Sequence, residues 1–220
     1  MKIKNIAAIC KKMKAIVLFE RYSESGDTVI QYIGDGGAAY PVTGLPPLDT
    51  ESVLTIFDVP EKDRDKYIVK TLGIPDGINF EDTDATEKPI EGEMLSIVYS
   101  GKVLKPLQTR RGLVFIESRY LSHVSDVLDV LELYERITTG GTPYIVAKAG
   151  LLLQAVIMPF DIINQQFVEG LQTLTRQCAL SLELRKQEAE RAQAAAPEQC
   201  SMKVDPDTGE IISEAEGSDE

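Results

Sequence analysis

With 220 residues, 43% of them hydrophobic and 26% charged, the chain has the length and the apolar content for one domain with a substantial core, which excludes a wholly disordered protein. Cys10, Cys178 and Cys200 show no CxxC spacing, and His123 is the single histidine; a zinc site is excluded, and neither a metal nor a cofactor is expected. The net charge of −12 is uneven: six bases face only Glu20 over residues 1–21, while residues 76–93 and 201–220 each carry seven acids and one lysine. Indiscriminate DNA binding is excluded by that average, but a local basic face can still meet phosphates.

The N-terminus lacks the long apolar core of a secretion signal, so a cytoplasmic protein is expected. Residues 3–13, IKNIAAICKKM, space Ile6, Ile9 and Met13 for a helix and set Lys4, Lys11, Lys12 and Lys14 on or near the other face. That row suits phosphate contact without base readout, and ordinary solubility is the competing explanation. AIVLFERYS and DTVIQYIG read as strands. The following GDGG, Gly34 to Gly37, lacks the lysine and hydroxyl of a phosphate loop, so it reads as a tight turn needing positive φ. TESVLTIFDV reads as a short helix capped by Asp49 or Thr50 and ending before Pro60.

Residues 60–93 read as a long charged connection with a strand at YIVKTL. Within it, EDTDATE lacks the glycine and terminal glutamate of a calcium loop. LSIVYSG, KVLKPLQ and GLVFIES read as strands. YLSHVSDVLDVLELYERI, with Leu121, Val124, Val127 or Leu128, Leu131 and Tyr134 on one stripe, is the strongest helix expected in the domain, capped by Ser118 or Ser122 and stopped by Thr138 to Gly141. Its acids Asp126, Asp129, Glu132 and Glu135 would form a solvated flank, and His123 would be a surface or capping residue. TPYIVAKAGLLLQAVIMPF, residues 142–160, is broken by Lys148, Gly150, Gln154 and Pro159, so it reads as a buried hairpin and not a membrane span.

Asn164 can cap a long helix that ends at Pro197. Its Phe167, Leu171, Leu174 and Cys178 step by four, three and four, a stripe suited either to its own domain or to oligomerisation. Residues 197–220 are expected to be disordered.

The order GLVFIES, YLSHVSDVLDVL, TPYIVAK, LLLQAVIMPF resembles the last domain of bacterial DNA polymerase processivity clamps, with Tyr120-Leu121, Pro143 and Met158-Pro159 in matching places. Helix and antiparallel strands in both halves suggest an α+β fold, antiparallel strands with two packed helices in a pseudo-repeated arrangement that the resemblance makes clamp-like; the long C-terminal helix and acidic tail depart from that family, which ends soon after Met-Pro. The domain would span 1–162, with sub-units of about 1–70 and 94–162 joined by the acidic connection, followed by the helix 163–196 and the tail 197–220. In that family basic helices line a central hole, which would give Lys4, Lys11, Lys12 and Lys14 a role. A clamp protomer holds several such domains, whereas this chain has room for one.

The expected function is therefore a non-enzymatic clamp-like accessory protein for DNA replication or repair. Its partners would be double-stranded DNA, itself or a replication protein, and no membrane; VDPDTGEII and the acidic tail suggest a phage or prophage origin. The alternative is an assembly factor that oligomerises through Phe167, Leu171, Leu174 and Cys178 with no DNA role. An enzyme using Asp35 or His123 near the GDGG turn is the third reading.

Overall fold

In the computed structural model, residues 2–22, 28–90, 95–124, 130–195, 203–204 and 211–212 are described. The chain divides into two compact units, Met1–Ile162 and Ile163–Glu220. The first opens with α1 (Ile3–Met13), then β1 (Ala15–Tyr22), β2 (Val29–Gly34), β3 (Ala38–Pro41), α2 (Thr50–Ile56), a 3-10 turn (Glu61–Lys66) and β4 (Ile68–Gly73). It continues with β5 (Lys88–Ile90), β6 (Ile97–Tyr99), β7 (Lys102–Thr109), β8 (Gly112–Glu117), a second 3-10 stretch (Ser118–Val124), β9 (Leu131–Ile137), β10 (Pro143–Ala149) and β11 (Leu152–Ile157).

Eight strands form one sheet in the order β4-β1-β2-β3-β11-β10-β9-β5, and β6-β7-β8 form a smaller one. This is the α+β class expected. Strand alternation sorts the large sheet's side chains onto two faces. Ile16, Leu18, Ile33, Ile145, Ala147 and Ile157 pack on one face with Ile6, Ile9 and Cys10 of α1, Val53 of α2 and Phe57 just after it, and Leu107 and Ile116 of the small sheet. Phe19, Tyr32, Tyr144, Val146 and Val156 pack on the other, under Ile74, Ile78 and Phe80 from the β4–β5 connection. The charged connection is thus the cover of the second face.

Helix α1 follows from its apolar spacing: Ile6, Ile9 and Cys10 fall one turn apart and are fully or nearly fully buried. It stops at Lys14, which takes the left-handed conformation (φ 51°) and turns the chain into β1. That reversal leaves Met13 half exposed, not on the buried stripe. Truncating Ile6 to alanine would cost roughly 2–5 kcal/mol, the usual range for a core isoleucine. Helix α2 starts where Asp49, one of the two caps the sequence offered, and Ser52 cap each other reciprocally.

Residues 120–137 correct the sequence reading. Of the long helix expected there, the described residues form a 3-10 stretch at Ser118–Val124 and strand β9 at Leu131–Ile137; Asp126, Val127, Leu128 and Asp129 lie outside the described residues. LELYERI satisfies a period of two as well as a helical one. Pairing decides it, from Pro143↔Ile137 to Ala149↔Leu131 on one side and with β5 on the other. Glu132 is exposed, but Glu135 is buried rather than solvated. Thr138 to Gly141 is the β9–β10 turn, not a helix stop: Gly141 N donates to Thr138 O at 2.8 Å.

Residues 142–160 form the expected hairpin, β10 and β11, turning at Gly150 (φ +61°). Among the described residues no helix is long and apolar enough to cross a membrane. The two halves share a three-strand meander, β1-β2-β3 and β9-β10-β11, joined at β3–β11. Their flanks differ, because β4 runs parallel to β1 whereas β5 runs antiparallel to β9, so no duplicated unit is established.

The second unit holds α3 (Gln165–Ala195), whose first turn is capped by Asn164 Oδ1 accepting from Phe167 N at 3.0 Å. In the tail expected to be disordered, β12 (Lys203–Val204) pairs antiparallel with β13 (Ile211–Ile212). The other tail residues lie outside the described set.

Candidate functional site

The lysines of α1 stand on a rigid base. Asn5 Nδ2 donates to Ser122 O and Lys2 N to His123 O (3.1 Å), so the helix start is tied to the 3-10 stretch as well as to the core. Lys4 and Lys11, seven residues apart, fall in one row, and Lys12 lies eight beyond Lys4 on the same outer face. Lys4, Lys12 and Lys14 are exposed; Lys11 is half-buried and donates from Nζ to Asp58 O at 3.1 Å. Lys11 and Lys12 also occupy the last turn, where the helix carbonyls favour cations. Three lysines on one helix face therefore coincide, and Lys14 follows at the helix end.

The second region is the Gly34–Gly37 turn between β2 and β3, which behaves as the glycines suggested: Gly36 has φ +90°. Asp35 is saturated by it. Its Oδ1 accepts from Gly37 N (3.0 Å) and Ala38 N (3.2 Å), and its Oδ2 from Arg119 Nη2 and Tyr120 Oη (both 3.2 Å). Arg119 Nε donates to Glu117 Oε2 at 2.6 Å, and Lys102 Nζ donates to Glu117 Oε1 at 2.6 Å. The result is a chain of alternating charges, Asp35–Arg119–Glu117–Lys102, in which Arg119 Nη1 is buried without a hydrogen-bond partner among the described residues. Burial, then the Asp35 charge, pushes the Cys10 thiol up to about 12, so it is a poor nucleophile near neutrality. The same two causes raise Tyr120.

His123 corrects a second reading: it is fully buried, not a surface residue. Its Nδ1 lies 3.0 Å from Tyr120 O and its Nε2 3.0 Å from Gln154 O, while the Tyr40 ring meets it edge-on at 4.3 Å. Asp35 and His123 thus share Tyr120, one through its hydroxyl and the other through its carbonyl. All four donors that meet the Asp35 carboxyl come from neighbouring segments of this chain.

Beside this turn lies an apolar cavity of about 140 Å³, walled by Phe19, Pro75, Ile78, Phe80, Val156 and Met158 and floored by Gly36 and Gly37. That volume is below the usual 300–1,000 Å³ of cofactor sites. Among the described residues no group of three His, Cys, Asp or Glu side chains could hold a metal ion.

On α3, Phe167 is buried, Leu171 is half-buried, and Leu174 and Cys178 are exposed. Sequence reasoning missed Arg119, Glu117 and Lys102, because their partners stand up to 84 positions away and no local motif marks them. No protein-family model matches the chain, and no characterised protein or solved structure matches it either.

Proposed function

We propose that this chain is a non-enzymatic, clamp-like accessory protein of DNA replication or repair, which meets the phosphates of double-stranded DNA through Lys4, Lys11, Lys12 and Lys14 without reading bases. One observation carries this reading: lysines gather on the solvent face of a helix whose opposite face is locked in the core, on a chain whose net charge is −12. A helix pinned in this way holds its cations at fixed spacing, which lowers the ordering cost of contact. The acidic stretches, residues 76–93 and 201–220, repel a duplex that approaches them, so charge favours approach to α1. The clamp-like part of the reading comes from the sequence resemblance of residues 112–160, whose expected helix from Tyr120 is a 3-10 stretch followed by β9.

Phosphate contact releases condensed counterions, so the test is duplex affinity against salt. Three to four contacts give a slope of log K against log salt near −3, from about −0.9 per phosphate, with no preference among duplex sequences. An affinity independent of salt, or one confined to a single sequence, would oppose the proposal.

A further inference from the structure

We infer that α3 is a self-association element, pairing along its apolar stripe with α3 of a second copy of this chain. Leu171, Leu174, Cys178 and Leu182 follow one another by three, four and four residues, an eleven-residue repeat. Such a repeat comes to 3.67 residues per turn, close to the α-helix's own 3.6, so the stripe stays on one side of a nearly straight helix. Leu174 and Leu182 on this stripe are 56% and 54% exposed, and so open to a partner helix. Arg185 interrupts the stripe, and Ala189 and Ala192 resume it with small side chains that allow close approach.

Charge identifies the occupant. Within α3, Glu169, Glu183, Glu188 and Glu190 are matched by Arg176, Arg185, Lys186 and Arg191, so the helix is neutral on a chain of −12. Two copies repel one another through their acidic segments, and α3 is where that repulsion vanishes. Size agrees as well. The stripe from Leu171 to Ala192 is about 32 Å long, and half of a 10 Å cylinder of that length is roughly 500 Å² from each helix, about 1,000 Å² in all. A specific interface needs at least about 1,000 Å² in total. The inference is independent of the nucleic-acid reading, because none of the α1 lysines enters it.

The test is light scattering on the full chain from about 1 to 100 μM, comparing wild type with Leu174→Glu/Leu182→Glu and with Leu180→Glu/Leu184→Glu. Leu180 and Leu184 are equally exposed but fall on the other side of the helix, so they control for charge and for folding, which far-UV circular dichroism checks. The expected result is a multiple of the 24.2 kDa chain mass that the first pair reduces to a monomer and the second leaves intact. A wild-type monomer throughout, an assembly that survives the first pair, or equal loss in both pairs would overturn the inference.

Discussion

Arg136 Nε donates to Glu87 Oε2 at 2.8 Å, and the arginine side chain has no exposed surface. Its Nη1 donates to the carbonyls of Asn79 (3.1 Å) and Glu81 (2.8 Å), and Nη2 to that of Asp82 (3.2 Å). Lys148 Nζ donates to Glu87 Oε1 at 2.7 Å, so one carboxylate balances two buried cations. These bonds hold the β4–β5 connection over Tyr144 and Val146, and they explain how a stretch so charged comes to cover a core.

Glu87→Gln should therefore be severe. It leaves Arg136 and Lys148 buried without a counter-charge, a change that costs about 3–5 kcal/mol. For a unit of this size that lowers Tm by roughly 10 °C. Calorimetry checks the fall, and limited proteolysis should find new cleavage between Pro75 and Glu87.

Gly37 stands where a side chain has no room: a Cβ there would collide with the Tyr120 hydroxyl. Gly37→Ala is expected to destabilise by about 1–3 kcal/mol through overpacking. Tyr120→Phe removes the colliding oxygen, so the double variant should lose less than the sum of the singles. Denaturant unfolding of all four proteins measures the coupling.

The Asp49 cap makes a pH-dependent contribution. Hydrogen bonds from Ser52 N and its hydroxyl hold the Asp49 carboxyl below its usual range. A carboxyl lowered in the folded state stabilises at pH above its unfolded value and loses that effect as pH falls through the folded one. Asp49→Ala should thus lower Tm near neutrality and converge on wild type in acid, which parallel melts at several pH values will show.

Thiol reactivity separates the two described cysteines. Cys10 is buried and its thiol is pushed up to about 12, whereas Cys178 is exposed. In a Cys200→Ser background carrying Leu174→Glu/Leu182→Glu to keep the chain monomeric, a maleimide at pH 7 should label Cys178 in the native protein and Cys10 only after unfolding. Mass spectrometry of the labelled peptides decides it.

Local patterns carried much of the fold. The α1 stripe, the Asp49 cap, the Gly36 turn and the hairpin broken at Gly150 each depend on neighbours within a few residues, and each is found where the residues suggested. Residues 131–137 were misread because LELYERI fits both periods, and only pairing with β10 and β5 chooses the strand. Glu135 deepened the error: a glutamate reads as solvent-facing, yet this one is buried with Arg110 donating to it at 3.1 Å. The candidate site divides the same way. The lysine row is legible from helical spacing, while the Asp35–Arg119–Glu117 chain exists only once distant segments meet.

The central claim is that the α1 lysines hold duplex phosphates, and one measurement tests it most directly. Anisotropy of a labelled duplex would be followed against salt for the wild type and for Lys4→Glu/Lys11→Glu/Lys12→Glu, with circular dichroism confirming that the changes, including the one at half-buried Lys11, leave the fold intact. The wild type should bind with a slope near −3, losing about 60-fold in affinity between 50 and 200 mM salt, and the triple variant should lose both binding and slope. Equal affinity and equal salt dependence in the two proteins, or no binding by the wild type at low salt, would contradict it.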